Sequence, residues 1–298
     1  MNIIKTTENL NEIIPNTLLQ GDCLNVMNYI KDKSIDMILC DPPYGTTDCE
    51  WDSVIPFNKH IIINDKIIYF DDYILKEIKT GKPYNDIITK FNLNCKDGMW
   101  QHLNRIIKPN GAIVLFGKEP FSSSVIISNL KKYKHKLVWN KKQSGSFANA
   151  KFMPLQIEED ILIFTKNGEK VNYYPQMRKG KMRKKGGSKK QIETMGGFIK
   201  TNYFKYSDEY YPVNILEDYP NCSNKANNIH PTQKPLELMK YLIKTYSNEN
   251  DLVLDNTMGS GTCPLASAIL NRRFIGIEKD DDYFKIAVNR LKEFGYLR

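Results

Sequence analysis

The chain has 298 residues, of which 41% are hydrophobic and 26% charged, and a formal net charge of +9. That length fits one large domain with insertions, or one domain plus a small one, and the composition is that of a soluble globular protein. No run approaches the roughly 20 apolar residues of a membrane span, and the positive balance favours a polyanionic partner without requiring one. Six scattered cysteines with no Cys-x-x-Cys pair argue for a reduced, cytoplasmic setting and against a zinc site.

Met1–Asn16 reads as a polar lead-in without an apolar signal core. Thr17–Gln20 is a predicted strand ending at Gly21-Asp22-Cys23, and Asn25–Ile30 a short helix with Leu24, Met27 and Ile30 on one face. Ile35–Cys40 is the next strand, which makes a βαβ unit. It stops at Asp41-Pro42-Pro43-Tyr44. Two consecutive prolines remove two backbone donors and stiffen the loop, which projects a carboxylate and a flat ring beyond the sheet's carboxyl edge. Open α/β sheets bind ligands at that edge.

The rhythm breaks over residues 58–96. Ile61–Ile63 and Ile67–Phe70 read as a hairpin around Asn64-Asp65-Lys66, and Asp72–Lys79 and Pro83–Phe91 as two helices around Gly81. Their helix-turn-helix-like spacing is compatible with DNA contact. Its low specificity favours a surface insertion with its own small core. The α/β pattern then resumes, with an amphipathic helix Met99–Ile107, a stop and turn at Pro109-Asn110-Gly111, and a strand Ala112–Phe116. Helix Phe121–Lys131 and strands Lys136–Trp139 and Asp160–Phe164 follow, the two strands joined through a polar loop, Gln143–Pro154.

Between 167 and 229 the character changes. Arg178, Lys179, Lys181, Arg183, Lys184, Lys185, Lys189 and Lys190 alternate with glycines, and Phe198, Tyr203, Phe204, Tyr206, Tyr210 and Tyr211 follow closely. A mid-chain basic run beside aromatics reads better as a nucleic-acid contact loop than as a solvated face. The last third alternates again: helix Pro235–Tyr246, strand Leu252–Leu254, a glycine loop, a helix to Leu270, strand Phe274–Ile277 and helix Tyr283–Phe294.

The glycine loop, Asp255-Asn256-Thr257-Met258-Gly259-Ser260-Gly261-Thr262, offers free backbone N–H groups at a helix start. One βαβ step on, Glu278 stands where an acidic side chain can take both ribose hydroxyls. The third glycine of a dinucleotide fingerprint is replaced by Pro264, and no Walker lysine is present. A nucleoside cofactor without a required phosphate fits S-adenosylmethionine better than NAD or ATP.

Together with Trp139-Asn140-Lys141 and His230-Pro231-Thr232-Gln233-Lys234-Pro235, these motifs in this order resemble an amino-group DNA methyltransferase of the permuted beta class. The resemblance implies an α/β, Rossmann-like methyltransferase fold with a mostly parallel seven-stranded sheet and helices on both faces. It implies a catalytic half over 1–57 and 97–166, a target-recognition region over 167–229 and a cofactor half over 230–298. It also implies that Asp255, Gly259, Gly261 and Thr262 surround S-adenosylmethionine. Glu278 would take the ribose, Asp22 and Cys23 the adenine, and Thr232, Gln233 and Lys234 the carboxylate end. Asp41 would lie beside the cofactor as well as the base. Asn256-Thr257 depart from the family's usual Pro-Phe.

The chemistry expected at Asp41 follows from the amine. An exocyclic amino group is a poor nucleophile because its lone pair is delocalised into the ring. The Asp41 carboxylate and the Pro42 carbonyl are placed to accept its hydrogens and localise that pair, while Tyr44 stacks on a base flipped out of the duplex. The chain has no Pro-Cys pair, which discards C5-cytosine transfer. Within the family an initial Asp goes with N6-adenine more often than N4-cytosine. N4-cytosine transfer, methylation of RNA or a protein glutamine, and a catalytically silent DNA-binding relative remain the rival readings. The resemblance makes a homodimer plausible and leaves room for a separate restriction endonuclease.

Overall fold

Strands covered on both faces are built mostly from apolar residues, and Ile35–Cys40 is buried at all six positions, Asp36 being its one charged residue. Around that strand the computed structural model describes residues 2–4, 12–45, 52–63, 66–80, 82–144, 147, 150–168, 170–185, 205–221 and 233–296. The first half contains β1 (Asn2–Ile4), β2 (Thr17–Gln20), α1 (Cys23–Val26), β3 (Ile35–Cys40), β4 (His60–Ile63), β5 (Lys66–Tyr69), α2 (Phe70–Ile78), α3 (Tyr84–Asn94) and α4 (Met99–Ile106). Then come β6 (Ile107–Gly117), α5 (Phe121–Ser128), β7 (Tyr133–Asn140), β8 (Glu158–Thr165), β9 (Arg178–Lys185), β10 (Lys205–Tyr210) and β11 (Ile215–Leu216). The chain closes with α6 (Leu236–Tyr246), β12 (Leu252–Asp255), α7 (Thr262–Ile269), β13 (Arg273–Glu278) and α8 (Asp281–Glu293).

The main sheet has nine strands in the order β1-β2-β13-β12-β3-β6-β8-β7-β11, not the seven expected. The two extra strands lie at its edges, where three residues of β1 pair with β2 and two of β11 with β7. Segments that short carry no readable periodicity. Only β8 runs against its neighbours. Strand alternation sorts the core into two layers. Ile38 and Cys40 face α1, α4 and α5, whereas Met37 and Leu39 face α6 and α7.

Helix α1 starts earlier than its apolar spacing suggests, because the Asp22 carboxylate accepts from Leu24 N (3.1 Å) and Asn25 N (3.3 Å). Pro109-Asn110-Gly111 is not a turn after a helix but an irregularity inside β6. Ile107 pairs with Ile35, and the next pairing is Ala112 with Met37. The extra residues are extruded as a bulge, the one way a proline is accommodated there. Gly111 is required at this point, since a Cβ would come within 2.7 Å of the Asp36 carbonyl oxygen.

Within 58–96, β4 and β5 form an antiparallel hairpin, and Ile61, Tyr73, Ile87 and Phe91 make a separate small core. The ends of this segment are tied by His60 N to Lys96 O (3.1 Å) and the reciprocal bond (2.8 Å). Pro175–Val213 is a compact unit distinct from the rest of the chain. It is narrower than the 167–229 region expected. The basic run is not a loop as far as Lys185: β9 pairs antiparallel with β10. Arg183 lies 3.7 Å above the centroid of the Tyr210 ring, and Lys179 pairs with Asp208 at 3.3 Å. Lys189 and Lys190 lie outside the described residues. Among the described residues, no helix is long and apolar enough to cross a membrane.

Asp36 joins three central strands. It accepts from Lys108 Nζ at 2.6 Å and, through its other oxygen, from the buried Leu252 N at 2.9 Å. Asp36→Ala leaves that N–H unpaired and is expected to cost about 1–3 kcal/mol of stability. A fall in the urea midpoint at constant slope checks this, and an unchanged midpoint contradicts it.

Candidate active site

Strands β12 and β3 are parallel neighbours, with Val253 opposite Met37 and Leu254 opposite Ile38. Their carboxyl ends therefore finish side by side. From β12 the chain crosses to β13 on one side, while β3 pairs with β6 on the other, so the two loops flank a switch point in strand order. Asp41, Pro42, Pro43 and Tyr44 leave β3, and Asp255 to Gly259 leave β12. Both loops line a single cavity of about 670 Å³.

The loop leaving β3 is held at several points. Asp52 accepts from Tyr44 N (2.8 Å) and Gly45 N (3.0 Å), and Thr257 Oγ1 donates to the Asp41 carbonyl at 3.1 Å. Asp41 Oδ1 accepts from the Tyr44 hydroxyl at 2.6 Å, and Asp41 Oδ2 accepts from Lys234 Nζ. The Tyr44 ring packs against Phe121, with centroids 4.9 Å apart. Burial, reinforced by Asp41, raises the Tyr44 hydroxyl well above the ordinary phenol range, so it remains a donor.

Lys234 is only 5% exposed. Burial opposes its charge, but Asp41 and Glu159 outweigh that and raise its affinity for the proton. Its Nζ also lies 4.9 Å from the Phe116 ring centroid. The resemblance assigns Lys234 to the carboxylate end of the cofactor; here its direct partners are Asp41 and Glu159.

The glycine loop is anchored by Glu278, whose Oε2 accepts from Gly259 N at 2.8 Å and Oε1 from Asp280 N at 2.9 Å. Burial raises the Glu278 carboxyl, and the backbone donors partly oppose that shift. Asp22, Cys23, Gln233, Lys234, Gly259, Thr262 and Glu278 all line the cavity. Gly261 does not. It adopts φ +75° at the start of α7, where a Cβ would approach Ala287 Cβ to 2.9 Å, so it serves the packing of α7 on α8. Thr262 Oγ1 accepts from Arg290 Nη1 at 2.8 Å. Thr232 and His230 lie outside the described residues.

These residues fit a nucleoside cofactor. Each Glu278 oxygen spends one lone pair on the backbone and keeps another for a ribose hydroxyl. Asn256, 1% exposed and lining the same cavity, has neither its amide oxygen nor its nitrogen hydrogen-bonded, a donor and an acceptor awaiting a polar ligand. The cavity thiols are not nucleophiles: burial, with Asp22 adding, raises Cys23 to about 12 and raises Cys263 well above its usual range. No group of residues arranged to hold a metal ion occurs among the described residues.

Glu159 and Asp52 were not found by motif reasoning. Glu159 sits in Glu158-Glu159-Asp160, an acidic strand start that resembles a solvated edge. Asp52 follows the motif with no pattern of its own.

The DNA methylase family model matches residues 35–289. The chain is 25% identical over 282 residues to the Type II methyltransferase M2.MboI of Moraxella bovis, covering 93% of this chain and 87% of that protein. It is 26% identical to the Type II methyltransferase M.HinfI of Haemophilus influenzae, covering 96% of this chain and 70% of the relative. Among solved structures, the M1.HpyAVI–SAM complex superposes with a TM-score of 0.51 at 22% identity, over 92% of this chain and 98% of that one. The cytosine-N4-specific PvuII DNA methyltransferase gives 0.56 at 14% identity, over 94% and 87%. These similarities extend the shared fold across nearly the whole chain.

Burial is the main reason that the Asp255 carboxyl is raised well above the usual carboxylate range. The Thr257 N–H opposes the shift, and Asp41 and Glu278 add to it. A folded-state value above the unfolded one means that the native chain holds the proton more tightly between the two. Stability therefore falls as pH rises through that window and stays lower above it. Asp255→Asn removes this dependence. It should melt above the wild type at about pH 8, with the gain shrinking towards pH ~4, near the unfolded Asp value. Thermal scans across pH check this; a variant less stable than wild type at the higher pH refutes it.

Proposed function

Since the chain belongs to the DNA methylase family, we propose that it transfers a methyl group from S-adenosylmethionine to N6 of an adenine flipped out of double-stranded DNA. The observation that carries this reading is the shared cavity: Asp41 and Tyr44 line the same space as Gly259 and Glu278. The reacting acceptor and the ribose anchor thus open on one ligand-sized volume.

S-adenosylmethionine, when bound, supplies an electrophilic methyl on a sulfonium. The chain's own part is to hold and orient. Glu278 would take the ribose hydroxyls, Asp22 and Asn256 would offer polar contacts to the cofactor, and the Gly259 turn would let it approach the backbone closely. The Asp41 carboxylate and the Pro42 carbonyl accept the hydrogens of the target amine, localise its lone pair and offset the positive charge that grows on nitrogen. One such preorganised contact is worth roughly 3–4 kcal/mol. Flipping the base costs a few kcal/mol. Tyr44 returns roughly 1–3 kcal/mol by stacking.

Asp41 as the first residue of its motif favours adenine over cytosine by family resemblance, and both amines call on the same chemistry. The names of the Type II relatives support a role as the modification partner of a separate endonuclease, acting on DNA in the cytoplasm. Strand β9 supports the DNA contact: Arg178, Lys179, Lys181, Arg183, Lys184 and Lys185 lie within eight residues.

Asp41→Ala is expected to lower methyl transfer by about 10²–10³-fold. Cofactor binding should stay within a few-fold of wild type by calorimetry. A variant that still transfers at the wild-type rate sinks the mechanism. Replacing Lys181 and Lys184 together with Gln should flatten the slope of log K for DNA against log salt by roughly 2. An unaltered slope removes β9 from the interface.

A further inference from the structure

In the resting arrangement Asp41 is engaged on both oxygens, by the Tyr44 hydroxyl at 2.6 Å and by the Lys234 ammonium. The ammonium matters more. A cation held against Asp41 cancels the negative charge that has to offset the positive charge developing on the amine. It also repels that charge in a buried site where screening is weak. The transfer proposed above therefore requires Lys234 to give up Asp41 without being left alone, because an unpaired buried ammonium is strongly disfavoured.

The site contains the means for this. Glu159 lines the same cavity, with its side chain 11% exposed. Its Oε2 stands 3.6 Å from Lys234 Nζ, too long for a hydrogen bond, and that oxygen is buried without a hydrogen-bond partner. Its other oxygen, Oε1, lies 3.6 Å from Lys141 Nζ. Oε2 is already within ion-pair reach of the Lys234 ammonium, which makes it a ready second acceptor for it. Glu159 is held by strand pairing, as the second residue of β8 opposite Trp139 of β7. A short shift of one ammonium is enough to exchange Asp41 for Glu159.

We propose that Glu159 is a positioning residue that takes the Lys234 ammonium from Asp41 when the target amine arrives. This rests on the methyl-transfer reading above. Asp41 is thereby released as a full negative charge, while Lys234 stays paired and Lys141 keeps Glu159 in place.

The test is a double-mutant cycle on methyl transfer to DNA. Glu159→Gln keeps the shape and removes the charge, and should lower kcat by about tenfold or more, roughly 1.4 kcal/mol. Affinity for S-adenosylmethionine, measured by calorimetry, should change by less than about threefold, because Glu159 acts on the step after binding. In a Lys234→Gln background, which has no ammonium to transfer, the same substitution should cost at most about twofold. Glu159→Asp, which restores the charge, should recover part of the loss. If Glu159→Gln does not fold, Glu159→Ala takes its place in the cycle. A loss equally large in both backgrounds, or full activity of Glu159→Gln, overturns the handover. A wild-type enzyme that transfers no methyl group to DNA fails the underlying reading instead, so the two failures are told apart.

Discussion

Burying an ammonium next to a carboxylate is an expensive way to stabilise a fold, because desolvation consumes most of the Coulombic gain. The Lys234–Asp41 pair is therefore better understood through what it positions. It joins the segment leading into α6 to the loop leaving β3, two parts of the chain separated by 193 residues. The pair is enclosed by Phe116 of β6, Glu159 of β8 and Tyr44 of the same loop, so two further strands converge on it. Thr257 ties the same loop to the glycine turn through the Asp41 carbonyl. The acceptor chemistry and the cofactor chemistry are thus mechanically joined within one hydrogen-bonded network.

That convergence depends on the placement of β12 beside β3. β12 comes late in the chain yet pairs with a strand from its first fifth, and parallel pairing brings both carboxyl ends to the same edge. The 58–96 segment closes on itself through His60 and Lys96 and has its own core, so it adds mass without disturbing the sheet.

Part of the candidate site was legible because three of its carboxylates sit at the ends of strands. Asp41 follows six buried residues, and Asp255 and Glu278 terminate β12 and β13. Residues whose role depends on distant partners were not legible. Pro109-Asn110-Gly111 carries the local signature of a stop, and only pairing with β3 converts it to a bulge. Arg178–Lys185 has no apolar alternation, so its pairing with Lys205–Tyr210 left no trace in the local pattern. Gly261 looked like part of the ligand cradle, whereas contact with Ala287 explains it. Glu159 is one of three consecutive acids, and nothing local distinguishes the one that faces Lys234.

The central claim is that this cavity directs a methyl group onto an exocyclic nitrogen. The most direct measurement is nucleoside mass spectrometry of DNA incubated with the protein and S-adenosylmethionine carrying a deuterated methyl group. The label is expected in N6-methyl-deoxyadenosine. Label on carbon 5 of cytosine, or none in any nucleoside, contradicts it.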